Sequence, residues 1–295
     1  MIVGPTAVGK TSLSIKIAKN LHTEIVSCDS RQFYRELEIG TAKPNQEELN
    51  EVPHHLINSR SIHHPYDVRK FEFDALKILT QLFEKHDYVV MTGGSGLFAD
   101  AVTKGFDPIP EIEKDIREEI IKEYEEKGLV FLQEELRKAD PVFMETADIQ
   151  NPQRLMRALE VYRGTGKPFS TFRNKSIVKR DFEVIQIGIE MDRDKLYNRI
   201  DQRMDLMIEN GLFEEAKKFF PYRNLNALQT VGYSEIFGYM EGEYDREEAI
   251  RLLKRNSRRY AKRQLTWFRR NAEIKWFEGG KEGDVLEYVK SQLID

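Results

Sequence analysis

The sequence predicts an α/β fold: a P-loop parallel-sheet core with helices on both faces and a helical insertion domain. Three observations predict it. A phosphate-loop motif, Gly4-Pro5-Thr6-Ala7-Val8-Gly9-Lys10-Thr11, follows directly on the apolar stub Met1-Ile2-Val3. Short apolar runs then alternate with amphipathic stretches up to about residue 105. Finally, strand character vanishes over residues 111–175 and returns at Phe182-Glu183-Val184-Ile185-Gln186-Ile187-Gly188-Ile189. Strand–helix alternation builds a parallel sheet through crossover helices, and a helical stretch between two such parts reads as an insertion.

Taken in order, Met1-Ile2-Val3 is the first strand, and the amphipathic stretch Thr11 to Leu21 (Leu13, Ile15, Ile17, Ala18, Leu21) is the helix that follows the loop. Only three residues precede Gly4, which points to a natural start slightly upstream. Glu24 to Cys28 is a buried strand closed by Asp29, and Tyr66 to Lys85 is helical by its apolar period. Tyr88 to Thr92 is a further buried strand running into Gly93-Gly94-Ser95-Gly96-Leu97-Phe98. Pro108-Ile109-Pro110 breaks the chain. Residues 192–270 are mostly helical, with one long helix from about Arg246 to Phe268. A late strand at Ile274-Lys275-Trp276-Phe277 and a closing helix at 283–292 complete the chain. The expected parts are a first core segment at 1–110, a helical insertion at 111–181 and a second core segment at 182–295. In such sheets ligands lie beyond the carboxyl ends of the strands, so the P-loop, Asp29 and Gly93–Gly96 should converge on one pocket.

Composition narrows the class. The chain has 295 residues, 33% of them charged, and a net charge of −4. No run of about 18 apolar residues and no secretory leader are present, and the single cysteine excludes an internal disulfide, so a cytoplasmic protein off the membrane is expected. Cys28 reads as a small buried hydrophobe at a strand end. The charge is unevenly spread: Arg251 to Arg270 holds nine Lys and Arg and no acid, while Glu111 to Lys138 holds ten acids against six bases. A basic segment of this kind outweighs the chain average when partners are considered.

The P-loop aims successive N–H groups, Lys10 and a helix N-terminus at phosphate oxygens, and the Thr11 hydroxyl can hold Mg²⁺. It identifies a polyphosphate and not a nucleotide. The ATP-binding or kinase reading needs a carboxylate at the end of an apolar strand to hold the metal, yet the strand at 88–92 ends in Thr-Gly-Gly. The acid that does end a strand near the loop is Asp29, placed to accept a proton from a nucleophile or to cap a turn, or both.

Further motifs follow in order: Asp29-Ser30-Arg31-Gln32-Phe33-Tyr34, Ile39-Gly40-Thr41-Ala42-Lys43-Pro44, Pro53-His54-His55, Gly93-Gly94-Ser95-Gly96-Leu97-Phe98, Asn151-Pro152-Gln153-Arg154-Leu155, Arg157-Ala158-Leu159-Glu160, Thr230-Val231-Gly232-Tyr233 and Ala261-Lys262-Arg263-Gln264-Leu265-Thr266-Trp267. With them the chain resembles the tRNA dimethylallyltransferases, the tRNA A37 isopentenyltransferase family, over essentially its whole length.

The resemblance implies transfer of a dimethylallyl group from dimethylallyl diphosphate to N6 of adenosine 37, in tRNAs reading codons that begin with U, with release of diphosphate and with Mg²⁺ as cofactor. The P-loop, Gly4 to Thr11, would then hold the prenyl diphosphate. By the same resemblance Asp29 takes the N6 proton, and Arg203, one turn from Arg199, stabilises the leaving group. Ser95 stands where the family usually has Thr and keeps a hydroxyl; Phe98 stands where it has Tyr, so a hydroxyl role lapses there and packing is expected. The tRNA anticodon stem-loop is implied to meet Asp29, Ser30, Arg31 and Gln32 and the run Gln153, Arg154, Leu155, Met156 and Arg157. The helical spacing of Arg251, Lys254, Arg255, Arg258, Arg259 and Lys262 offers a basic side, from which Arg255, Arg258 and Lys262 are candidate RNA contacts. The enzyme is expected to act as a monomer. Two other readings keep the P-loop: an adenylate isopentenyltransferase acting on AMP, ADP or ATP, against which the insertion and the Gln153–Arg157 motif argue, and a small-molecule kinase. A third is an RNA-binding module with a vestigial phosphate site. His54-His55 and His63-His64 lack companion ligands for a metal, and His55 is expected in a structural hydrogen bond. Phe71, Phe73, Met204, Leu206 and Met207 read as core.

Overall fold

The computed structural model describes residues 1–107, 109–173 and 178–293. The chain forms two compact units, Met1–Lys104 with the chain from Arg180 onward, and Gly105–Lys179. Pro108 of the expected break, and residues 174 and 175 of the expected helical stretch, lie outside the described residues.

The first unit is built on a sheet of β1 (Ile2–Val3), β2 (Ile25–Ser27), β3 (His54–His55), β4 (Val90–Gly93), β5 (Ile187–Glu190) and β6 (Lys275–Glu278). The order is β3-β2-β4-β1-β5-β6, with every neighbouring pair parallel. Its helices are α1 (Lys10–Asn20), α2 (Gln46–Glu51), α3 (Val68–Phe83) and α4 (Gly96–Lys104) before the second unit, which holds α5 (Lys114–Ala139), α6 (Pro141–Thr146) and α7 (Pro152–Thr165). After it come α8 (Arg193–Glu209), α9 (Leu212–Phe219), α10 (Ser234–Met240), α11 (Arg246–Phe268) and α12 (Glu282–Gln292).

Successive strand residues point to opposite faces, and the two cores follow that parity. Ile2, Ile25, Val90, Ile187 and Ile189 pack with Leu13 and Ile17 of α1, Leu196 and Ile200 of α8, and Val285 and Val289 of α12. Val3, Val26 and Met91 pack with Phe71, Ala75 and Leu79 of α3 and Ala99 and Val102 of α4. Strands buried on both faces explain why these runs are continuously apolar. A third cluster, in which Phe33, Met204, Met207, Leu212, Tyr233 and Leu253 are buried, supports the loops beyond the strand ends.

Three details depart from the sequence reading. The strand expected from Phe182 begins only at Ile187, because β1 supplies ladder partners from Ile2, in register with Ile187. The edge strand β3 was not expected, since it consists of two half-buried histidines. Leu206 is 57% exposed and Phe73 70% exposed, so neither is core. Each lies off its helix's buried stripe, which is Ile200, Met204 and Met207 on α8 and Phe71, Ala75, Leu79 and Leu82 on α3.

In the second unit α5 is broken at Gly128, whose φ is 75°. Ile120, Leu132 and Leu136 of α5 pack with Phe143 of α6 and Leu155, Met156 and Leu159 of α7. The buried carboxylate of Glu160 is answered by Arg117 at 2.8 Å and Arg157 at 2.7 Å. Pairing of this kind is what allows a charge to sit inside a core.

Candidate active site

The carboxyl ends of β1, β2 and β4 open on a cleft of about 440 Å³, lined among others by Thr6, Lys10, Thr11, Asp29, Arg199, Arg203 and Tyr260. The P-loop reaches it by two unusual backbone turns. Ala7 has φ 65° and Gly9, the residue before α1, φ 102°. This left-handed geometry at successive turns makes a nest of N–H groups, and glycine takes it without a Cβ penalty. α1 then presents its N-terminus, with Lys10 and Thr11, to the cleft.

The cleft is strongly cationic. Lys10 Nζ folds back to donate to the Gly4 carbonyl (3.0 Å) and the Pro5 carbonyl (2.7 Å). Burial lowers its pKa to about 8, with Arg203 pushing the same way and the Asp29 charge opposing. The Arg203 guanidinium donates to the Thr6 hydroxyl. Burial depresses its pKa as well, opposed by Asp29 and reinforced by Arg199. Two half-buried cations crowding one carboxylate form a site short of negative charge, suited to an anion.

Asp29 follows β2 and caps the turn after it, one of the two roles anticipated for it. Its Oδ1 accepts from the N–H groups of Arg31 (2.8 Å) and Gln32 (3.3 Å), making an Asx turn that fixes the carboxylate. Asp29 lines the cleft. Ser95 is 8% exposed and lies behind this turn, where its hydroxyl accepts from the Ser30 N–H at 2.9 Å and bonds the Tyr260 phenol. It is not among the residues that line the cleft, so the expectation of a catalytic Ser95 is corrected to that of a positioning residue. Tyr260 does line the cleft, and burial together with the Asp29 charge pushes its phenol up to about 12. Phe98 packs on Phe71 and Phe33, as expected of a residue without a hydroxyl. His55 bonds Glu24 at 2.6 Å, the expected structural hydrogen bond.

Two positioning groups escaped the sequence reading. Gln264 of α11 is 6% exposed; its Oε1 accepts from the Thr6 N–H and its Nε2 donates to the Gly94 carbonyl, both at 2.8 Å. It fastens the P-loop to the loop after β4. A Cβ on Gly94 would fall 2.2 Å from Gln264 Nε2, which explains the glycine. Glu215 of α9 is the second. Its carboxylate accepts from the N–H groups of Glu38 (3.1 Å), Ile39 (3.0 Å) and Gly40 (2.9 Å) and from the Tyr233 hydroxyl (2.6 Å). It thereby holds the loop whose Gly40, Thr41 and Ala42 line the cleft. The readable signal for Gln264 was its place on the stripe Leu253, Ser257, Ala261, Gln264, Phe268, the buried side of α11.

The candidate RNA residues divide. Arg31 donates to the Asn226 carbonyl at 2.9 Å, and Gln32 donates to the carbonyls of Thr41 and Ala42, so both hold loops around the cleft. Gln153 and Arg154 are exposed on α7. Leu155 and Met156, 0% and 3% exposed, are core of the second unit and do not face a partner; the i, i+4 spacing of Leu155 and Leu159 drives them inward. On α11, Lys262 is exposed and Arg255 half-buried, but Arg258 is held by Asp201 of α8 at 2.6 Å and Lys254 by Asp205. The acid-free segment is thus neutralised on one flank by a neighbouring helix, and Arg258, expected as an RNA contact, is held in a helix–helix ion pair.

Among the described residues no group of three or more His, Cys, Asp or Glu is arranged to hold a metal alone. The oxygen donors of the cleft include the Asp29 carboxylate, the Thr11 hydroxyl, and that of Thr92, whose buried Oγ1 has no hydrogen-bond partner. Such a set fits a hard cation that arrives already bound to phosphate oxygens and keeps several waters.

The IPP transferase family model matches residues 32–271. The chain belongs to that family. It is 50% identical over 293 residues to a tRNA dimethylallyltransferase of Cytophaga hutchinsonii, covering 99% of this chain and 96% of that one. It is 45% identical to tRNA dimethylallyltransferase 1 of Bacteroides thetaiotaomicron, covering 99% and 95%. Among solved structures, the full-length tRNA isopentenylpyrophosphate transferase of Bacillus halodurans is 38% identical with a TM-score of 0.72, covering 98% of this chain and 94% of that one. A eukaryotic dimethylallyltransferase acting on tRNA, 23% identical, shares the fold with a TM-score of 0.79, covering 100% and 80%.

Proposed function

We propose that this protein is a tRNA dimethylallyltransferase, moving the dimethylallyl group of dimethylallyl diphosphate to N6 of adenosine 37 in tRNAs that read codons beginning with U. The observation that carries the reading is the pairing of a fixed carboxylate, Asp29, with two half-buried cations, Lys10 and Arg203, in a P-loop cleft where the end of β4 carries Thr92 and Gly93 and no acid. An anion is held, a proton acceptor is supplied, and the metal carboxylate of a phosphoryl-transfer site is missing.

The chemistry follows from these groups. The N6 amine is a poor nucleophile because its lone pair is delocalised into the ring. As the N6–C1 bond forms and the C1–O bond breaks, Asp29 accepts the N6 proton and the C1–O electron pair leaves with diphosphate. Its growing charge falls on the P-loop N–H groups, Lys10 and Arg203, which are fixed before the reaction begins. Thr11 would hold Mg²⁺, which would supply further charge neutralisation when bound. Arg199 stands one turn away on the same helix. The adenine must leave its stack, a cost of a few kcal/mol that is smaller in a loop than in a duplex.

RNA contacts are proposed for Asp29 and Ser30 at the site, for Gln153, Arg154 and Arg157 of the second unit, and for Arg255 and Lys262 of α11. Arg31 and Gln32 shape the same approach. Among the described residues no helix is long and apolar enough to cross a membrane, and the enzyme is proposed to work in the cytoplasm as a monomer. The test is transfer of radiolabelled dimethylallyl from its diphosphate, with unmodified tRNA carrying A36-A37-A38 or free AMP offered in separate reactions. Label in tRNA alone supports the proposal. Label in AMP alone makes this a mononucleotide enzyme, and label in neither with ATP turnover makes the cleft a nucleotide site.

A further inference from the structure

Thr92 and Ser27 are two hydroxyl residues of the cleft to which the mechanism above assigns no step. They are register partners on β4 and β2, so both side chains stand on the same face of the sheet at the same level. That face is the α1 face, because Val90 and Ile25, two residues earlier on each strand, pack against α1 there. Both residues line the cleft. Ser27 is 3% exposed, and its hydroxyl accepts only a long 3.4 Å bond from the Asp29 N–H. Thr92 Oγ1 is buried and has no partner at all. β4 is also the strand next to β1 on the P-loop's inner side. In a P-loop phosphoryl-transfer enzyme an acid at such a strand end serves the metal.

A buried hydroxyl without a hydrogen bond carries a desolvation cost that a methyl group in its place would avoid. Here the cost is met in a cleft already short of negative charge, next to Thr11. We infer that Thr92, with Ser27 beside it, forms a neutral hydroxyl floor that holds the water shell of the divalent cation accompanying the diphosphate. The inference rests on the diphosphate reading above and adds these residues to it. A neutral floor has a chemical consequence. With hydroxyls and no carboxylate of its own, this floor binds the cation weakly by itself and takes it up together with diphosphate.

Calorimetric titration of inorganic diphosphate into wild type, Thr92→Val and Thr92→Ser, each with MgCl₂ and with EDTA, tests this. Valine matches threonine in shape and lacks the hydroxyl. The expected result is at least tenfold weaker diphosphate binding by Thr92→Val in Mg²⁺, the range for losing a hydrogen bond in a charged network. In EDTA the change should be less than twofold, because Lys10 and Arg203 remain. Thr92→Ser should bind within about threefold of wild type in Mg²⁺. Melting of the ligand-free proteins adds a readout that a structural role would not share: Thr92→Val should melt at or above the wild-type temperature. Equal Mg²⁺-dependent binding by wild type and Thr92→Val overturns the inference, and so does a ligand-free Thr92→Val that melts well below wild type. If wild type fails to bind diphosphate in either condition, the diphosphate reading falls first, and this inference with it.

Discussion

Replacing Gln264 by leucine removes one side chain that serves two backbone groups in different loops. The Thr6 N–H loses its acceptor and the Gly94 carbonyl its donor, each bond being 2.8 Å long in wild type. Leucine fills similar space, so the loss is polar. Each buried group left unsatisfied costs about 1–3 kcal/mol, roughly 2–6 kcal/mol for the pair. Against a total stability of about 5–15 kcal/mol, and at about 2–4 °C per kcal/mol for a unit of this size, a midpoint fall of roughly 10 °C is expected. The function should suffer separately, because Thr6 also receives the Arg203 guanidinium. A P-loop freed from Gln264 loses its fixed amides, and diphosphate affinity should drop about tenfold or more. Scanning calorimetry and diphosphate titration read the two effects. Gln264→Glu keeps an acceptor for Thr6 but sets a carboxylate against the Gly94 carbonyl and beside the anion, so it should weaken diphosphate further. If Gln264→Leu melts within 2 °C of wild type and binds diphosphate normally, the claim that Gln264 couples the two loops is refuted.

Other perturbations follow from the same geometry. Asp29→Asn keeps an acceptor for the Arg31 and Gln32 N–H groups but cannot take a proton. It should therefore lower kcat by about 10²–10⁴ with tRNA affinity kept; unchanged turnover would remove Asp29 as the base. Lys10 has a pKa lowered to about 8 in the free protein, and a bound anion holds it protonated. Diphosphate affinity should thus be flat from this group below pH 8 and fall about tenfold per pH unit above it, a slope that Lys10→Met abolishes. The sign for folding is opposite: the depressed value penalises the charged form, so ligand-free stability from Lys10 grows as pH rises from about 8 towards the ordinary value of 10.5. Lys262→Ala should reduce the salt slope of tRNA binding by about one. Arg258→Ala, which breaks the Asp201 pair, should leave that slope unchanged and cost about 1 kcal/mol or less of stability.

The sheet was legible wherever burial was two-sided. Ile25-Val26-Ser27 and Val90-Met91-Thr92 carry the apolar runs that a parallel strand needs, and each ends in the residue that reaches the cleft. β3 carried no such signal, because His54 and His55 are polar and lie at an edge. Helix existence was easier to read than helix facing. Phe73, Leu206, Leu155 and Met156 were misjudged by looking at residue type or motif membership, where the i, i+4, i+7 stripe of each helix decides. The candidate site was legible through the P-loop and Asp29, whose chemistry is written in their residue types, and through Arg203 by family resemblance alone. Gln264 and Glu215 were not, since a glutamine on a basic helix and a glutamate among acids look like solvated surface until the backbone groups they serve are in place.

Cys28 is the chain's one cysteine. It is fully buried at the end of β2, and its sulfur is packed so close beneath Gly93 that a methyl group there would lie 2.6 Å from it. Burial, with the charge of Asp29, pushes its thiol up to about 12. Sulfhydryl reagents can therefore reach and ionise it only when the seam between β2 and β4, the floor of the cleft, comes apart. The molecule thus carries its own clock for that opening. The rate at which the native protein takes up one equivalent of an alkylating agent counts how often the seam parts, and ligands that hold the seam shut slow the clock in proportion to their occupancy.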